Sequence, residues 1–199
     1  QTKIPTRATY RSTGSGTGQR EFIGNITHPA NDFGASDYPL SSENYNQLRN
    51  AGQEVVHLPV VMAAYSVFHS VPMNAAEEPG QLPTNLNLTS CLIARIYQGD
   101  IVSWDHPDIR EVNPNLELPL QLDFYGKPAE DQSFPIKVAA RGDGSGTTVI
   151  FTSYLHKTCP EHWGEDLVNS RPNWPLANSD NFIAADGTSD LLSVITDNP

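Results

Sequence analysis

An α/β fold with a largely parallel sheet is the class that this 199-residue sequence predicts, on three observations. Segments rich in β-branched and aromatic residues alternate with segments of helical apolar spacing along the chain. Two loops of glycine and hydroxyl residues, Gly14-Ser15-Gly16-Thr17-Gly18 and Gly144-Ser145-Gly146-Thr147-Thr148, each open such a helical segment. The apolar run 136–140 passes through Arg141-Gly142-Asp143 into the second loop, a strand–loop–helix unit of the kind that holds anions.

In chain order, the first helix is expected over 17–23, led by its glycine loop. Residues 32–36 read as a short strand ending in a turn that carries Asp37. Ser41 or Ser42 caps a second helix running to about Asn50. The β-branched and aromatic content of 54–61 and 63–68 predicts two strands, with Pro59 at a bend. Residues 73–87 are loop-like, with Pro79-Gly80 as a turn signal. Thr89 or Ser90 caps a helix bearing Leu92, Ile93, Ile96 and Tyr97, stopped by Gly99. A short helix or turn over 104–112 and a proline-rich stretch to Pro128 precede the strand at 136–140. Helices over 147–156 and 189–196 complete the reading. No internal repeat or low-complexity tract interrupts it.

A helix start leaves its first N–H groups unpaired and carries a partial positive charge, so two such starts attract an oxyanion. The guanidinium of Arg141 adds a planar fork that matches two oxygens of a tetrahedral anion, with Asp143 placed to hold it from behind. Asp37 supplies a different function. A carboxylate facing the ligand is unfavourable for a fully deprotonated anion and favourable for one that carries a proton. Such a site tells hydrogen phosphate from sulfate, a rejection of roughly 10⁴-fold, or about 5–6 kcal/mol. Neither loop is a Walker A motif, and neither is the Gly-x-Ser-x-Gly elbow of serine hydrolases, since Thr13 and Asp143 stand where glycine is needed.

Composition excludes several classes. With a formal charge of −11 and a pI of about 4.8, the chain lacks the basic stripe of a nucleic-acid or anionic-membrane binder. An anion site here works by local geometry, because the overall field repels its ligand. No apolar run approaches the roughly 18 residues of a membrane span. Cys91 and Cys159 are read either as two buried thiols or as one disulfide of an oxidising compartment. The triplets at Asn25 and Asn87 match the N-glycosylation pattern and, with the paired cysteines, point to an extracellular or cell-surface protein (periplasmic if bacterial). His28, His57, His69, His106, His156 and His162 form no recognised metal motif and are read as structural or exposed, so no metal and no cofactor are expected. Trp104, Trp163 and Trp174 are read as packing residues.

From about Tyr10 to Pro199 the sequence resembles the phosphate-binding proteins of bacterial high-affinity phosphate ABC transporters. The likeness is carried by Gly14-Ser15-Gly16, by residues 32–40 (DFGASDYPL), by 96–104 (IYQGDIVSW), by 113–119 (NPNLELP) and by 141–148 (RGDGSGTT). It implies a type II periplasmic-binding-protein fold: two α/β lobes joined by a hinge near residues 60–70, here 1–66 and 67–199, closing on inorganic phosphate. By matching position, Ser15 and Gly16 donate from the first helix start and Asp37 accepts the phosphate proton. Arg141 clamps the oxygens with Asp143 in support, while Ser145, Gly146 and Thr147 donate from the second start. A disulfide between Cys91 and Cys159 fits, since both fall in the second lobe.

Two departures stand out. Family members begin with a glycine-rich strand whose Thr-Phe pair touches phosphate, which nothing in residues 1–9 matches, and they continue well past Pro199. The chain thus reads as an interior portion of the fold with an incomplete first lobe. An exposed apolar surface is expected on residues 1–61, covered in the functional state by another polypeptide segment or chain. Non-catalytic phosphate binding is the leading function. The alternative is an extracellular structural or adhesive domain with an unused site, which the departures and glycosylation triplets favour. An enzyme is not expected, for want of a nucleophile with a base or a set of metal ligands.

Overall fold

The computed structural model describes residues 9–24, 31–69, 71, 86–118, 121–122, 125–127, 129, 132 and 134–197. Along them run α1 (Ser15–Ile23), α2 (Ser42–Asn50), α3 (Ser90–Gln98), α4 (Pro107–Val112), β1 (Val138–Arg141), α5 (Gly146–Thr158), β2 (Phe182–Ala185) and α6 (Gly187–Asp197). A 3-10 turn at Glu165–Leu167 lies between α5 and β2.

Each boundary has a local cause. The hydroxyls of Ser41, Thr89 and Ser145 accept from the amides of Asn44, Leu92 and Thr148, capping α2, α3 and α5. Pro107 fits the first position of α4, where its missing N–H costs nothing, and the His106 ring accepts from Asp108 N. α3 ends at Gly99, whose φ of 87° is left-handed. The Leu176 side chain fills the space where a Cβ on Gly99 would stand.

β1 and β2 pair in parallel, Val138 opposite Phe182 through Arg141 opposite Ala185, and the fold is α/β. The connection between them carries α5, as a parallel crossover requires. Val138 and Ala140 point into the interior while Ala139 and Arg141 are half-buried, the alternation of a strand with one packed face. Two apolar clusters flank the pair. One gathers Leu92, Ile96, Ile101, Ile109, Ile136 and Val138. The other gathers Ala140, Phe151, Leu155, Cys159, Trp163 and Trp174. Tyr97 joins the second, with its ring centroid 5.0 Å from Phe151 and 5.5 Å from Trp174. Burial, with a smaller effect of Tyr65, pushes its phenol up to about 12.

A disulfide joins Cys91 to Cys159, tying the first turn of α3 to the residue that ends α5, with Cα atoms 5.2 Å apart. Closing a 68-residue separation in this way stabilises a fold by about 2–4 kcal/mol. It also answers the open reading of the two cysteines.

The structure corrects the strand assignments. Residues 32–36, 54–61 and 63–68 join no ladder, and the strand that pairs with β1 is Phe182–Ala185, which the sequence reading left unassigned. Residues with strand propensity favour a pleated, packed surface, but propensity alone supplies no hydrogen-bonding neighbour. The consequence is visible in exposure: Val56, Leu58, Val60, Val61 and Met62 are 75–96% exposed. The apolar surface expected on residues 1–61 is therefore present in its described part. Among the described residues of 9–69, Leu48 is the one large hydrophobic that is buried. No described helix is long and apolar enough to cross a membrane. Asn25 lies outside the described residues, whereas Asn87 is exposed and its backbone is tied to the Asn113 side chain.

This contrast sets an expected outcome. Leu155→Ala, at a fully buried position, should lower stability by about 2–5 kcal/mol. Val60→Ser in this chain should change it by about 0.5 kcal/mol or less. Denaturant midpoints check both, and equal losses would contradict the assignment of the core.

Candidate functional site

The C-terminal ends of β1 and β2 open on the same edge, β1 into the 141–145 loop and α5, β2 into Asp186 and α6. α1 meets that edge from the N-terminal part of the chain. Its approach is backbone to backbone. A Cβ on Gly16 would lie 3.2 Å from Gly144 Cα, and one on Gly14 would lie 3.2 Å from Gly144 O. A Cβ on Gly146 would fall 2.3 Å from Ser15 Oγ and 2.7 Å from Asp37 Oδ2. A side chain at Gly146 would force its neighbours to shift, and one at Gly14 or Gly16 would press on the Gly144 backbone. The two loops singled out from the sequence are thus in mutual contact, with Ser15, Asp37 and Gly146 at their junction.

Gly14 can begin α1 because its φ of 74° is open to glycine, and its missing side chain leaves the helix start uncapped. Neither α1 nor α5 carries an acidic residue in its first turn. Among the described residues, no protein group accepts from the backbone N–H of Gly16, Thr17, Gly146 or Thr147. Ser145 is engaged differently: its N–H donates to Ser170 O at 3.0 Å and its Oγ accepts from Thr148 N. Ser15, Gly16, Ser145 and Gly146 are buried, while Asp37 and Thr147 are exposed. Ser15 Oγ donates to Asp37 Oδ2 at 3.1 Å and lies 3.2 Å from Asp37 N.

Arg141 ends β1 with its side chain largely buried, and both oxygens of Asp143 receive its guanidinium N–H groups. Asp143 also accepts from Gly187 N, at the start of α6. The Arg141 guanidinium beside it, and to a lesser degree that Gly187 N–H, hold its carboxyl below the usual carboxylate range. The Arg141 backbone is fixed by Trp174, whose indole N–H donates to its carbonyl at 3.0 Å. Sequence reasoning missed this second layer: Trp174, Ser170, Gly187 and Thr188, whose Oγ1 lies 3.4 Å from Arg141 Nη1. It also missed Gln19, which donates to Ser36 Oγ and Tyr38 O on either side of Asp37. Gln19 stands four residues after Ser15, a helical spacing that could have pointed to it.

Among the described residues, the side-chain group with metal-ligand proximity is Cys91, Cys159 and Glu161, where the sulfurs are bonded to each other. His57 accepts from Leu40 N, His106 caps α4, and His156 Nδ1 contacts Trp163 O.

A family model described as PBP superfamily domain matches residues 2–191. Phosphate-binding protein PstS 3 of Mycobacterium leprae is 34% identical over 79% of this chain and 36% of its own length. Phosphate-binding protein PstS of Methanocaldococcus jannaschii is 29% identical over 96% of this chain and 43% of its own length. The Haemophilus influenzae protein of that name is 36% identical over 76% and 36% respectively. The chain thus spans about two-fifths of the length of these relatives. An X-ray structure of a phosphate-binding protein from Stenotrophomonas maltophilia superposes with a TM-score of 0.50 at 24% identity, covering 96% of this chain and 51% of that one. That likeness is one of fold.

Two outcomes follow from the geometry. Alanine favours a helix over glycine by about 1 kcal/mol, yet Gly146→Ala forces a methyl against Ser15 and Asp37. Its melting temperature should fall, and an unchanged or raised value would contradict the contact between the loops. Asp143 has a lowered folded-state pKa, so its contribution to stability is present above the unfolded value of about 3.9 and is lost as pH falls through the folded value. The stability difference between the wild type and Asp143→Asn should therefore be constant near neutrality and shrink below about pH 4. A difference independent of pH would show that the ion pair does not act on folding.

Proposed function

The chain belongs to the PBP superfamily, and from that premise we propose that it binds inorganic phosphate without catalysis, at the junction of the two glycine loops. The observation that carries the reading is the meeting of two uncapped or hydroxyl-capped helix starts with one carboxylate and one braced guanidinium. Amides of Ser15, Gly16, Gly146 and Thr147 and the hydroxyls of Ser145 and Thr147 donate to phosphate oxygens. Arg141, held by Asp143, clamps two of them. Asp37 accepts the proton that hydrogen phosphate carries and sulfate at the same pH lacks. The site lies in the cleft between two α/β lobes, residues 1–66 and 67–199. The loops touch in this structure, so phosphate enters when they part and is held as they close around it at a wider separation, a hinge motion near residues 60–70.

The names of the relatives support phosphate over other oxyanions. The disulfide supports an oxidising, extracytoplasmic location. The exposed apolar residues of 55–68 support a partner: polypeptide outside these 199 residues covers them and completes the first lobe. In such a longer protein, Val60→Ser destabilises, in contrast to its near-neutral effect here.

Titration calorimetry at pH 8 with phosphate and then sulfate tests the binding. Phosphate should bind and sulfate should bind at least about 10³-fold more weakly, with Asp37→Asn raising sulfate affinity and closing most of that gap. Equal affinity for the two anions would remove the role of Asp37. Absence of heat with either would favour a structural domain that keeps the fold with an idle site.

A further inference from the structure

The structure assigns Gln19 as the residue that positions Asp37, an inference that rests on the phosphate reading above and adds to it a component of selectivity. Gln19 is 9% exposed, one of the few buried polar side chains among the described residues. Its Nε2 lies 2.9 Å from Ser36 Oγ, 2.9 Å from Tyr38 O and 3.4 Å from Pro39 O. The orientation of the amide follows from chemistry, because two of these partners are carbonyls that can only accept. The bonds therefore grip the chain immediately before and immediately after Asp37.

Gln19 and Ser15 stand one turn apart on the same face of α1, and both address this short turn. Ser15 holds the Asp37 carboxylate and lies against its amide, while Gln19 holds the residues on either side. Ser36 Oγ in turn donates to Tyr38 O at 2.7 Å, closing a local network around Asp37. The backbones are also in close contact: a Cβ on Gly18 would lie 3.2 Å from Ala35 O, and one on Gly34 would lie 3.1 Å from Phe22 Cβ. Asp37 itself is exposed, so its own burial does not fix it. A carboxylate that is to meet one ligand proton must be held to a fraction of an ångström, and α1 does this from the same helix whose start donates to the anion. Gln19 thus acts through Asp37 and makes no ligand contact.

The test is a double-mutant cycle on phosphate affinity, using Gln19→Met, which keeps length and volume but removes the donor, and Asp37→Asn. Gln19→Met should weaken phosphate binding about tenfold in the wild-type background and less than about twofold in Asp37→Asn, since a positioning residue loses its effect with the group it positions. The fall should also be larger for phosphate than for sulfate. An equal loss in both backgrounds, or no loss in either, overturns the assignment. Should Gln19→Met fail to fold, Ser36→Ala at an exposed position carries the same cycle, with a loss of about threefold expected in the wild type alone. Wild-type protein that shows no preference for phosphate defeats the function reading itself. A wild type that discriminates beside a Gln19→Met that discriminates equally defeats only the role of Gln19.

Discussion

Most of what this molecule can do depends on how closely two backbones approach. Gly146 faces Ser15 and Asp37 at separations that leave no room for a Cβ, and Gly16 faces Gly144 at separations tighter than a Cβ ordinarily meets. That approach brings two helix starts, drawn from segments about 130 residues apart, to one point. Partial charges at helix ends act only over the first turn, so a spacing wider by one side chain would leave each start acting alone. Glycine at these positions is therefore a requirement of distance, and not of backbone freedom, except at Gly14 where a positive φ is also needed.

The charges around that point are few and each is restrained. The protein as a whole is acidic, so an anion approaching it gains nothing from the distant field and everything from the last few ångströms. Arg141 is the one cation among the sequence-predicted site residues, and its fork is engaged by Asp143. This does not neutralise the site as it would on an exposed surface. Asp143 is itself held by the start of α6, and Trp174 holds the Arg141 carbonyl, so the guanidinium sits on a frame built from β1, β2 and α6. The paired arginine trades net charge for direction, and direction is what a bidentate contact needs.

Helices and loops were legible in the sequence because their signals are local. Ser41, Thr89 and Ser145 cap where hydroxyl residues precede an apolar repeat, and Gly99 stops a helix where a left-handed residue is needed. Strands were not, because a strand is defined by a neighbour. The run at 54–68 has every compositional mark of a strand and no partner among the described residues, whereas the modest FIAA of β2 is a strand because β1 lies beside it. The site divides the same way. Gly14–Gly18 and Gly144–Thr148 announce themselves, but their contact depends on tertiary packing that no spacing reveals. Gln19, Trp174 and Ser170 are ordinary residues whose importance comes from the atoms they happen to face.

The uneven burial along the chain bears on how such a site could open. Both apolar clusters lie between residues 71 and 185, the second containing the Cys91–Cys159 bond, so the part that carries Arg141 and Ser145 is held by its own core. The part that carries Ser15 and Asp37 is held mainly by polar bonds within α1 and the 36–39 turn, and by contact with the second loop. Segments with little buried apolar area separate from their neighbours at low cost, whereas a packed and cross-linked core moves as a unit. The opening proposed above is therefore easiest between the two glycine loops, across the surface where the proposed phosphate-binding groups meet. Polypeptide laid over the exposed 55–68 residues would stiffen the first part as a body and leave that junction as the remaining place to bend.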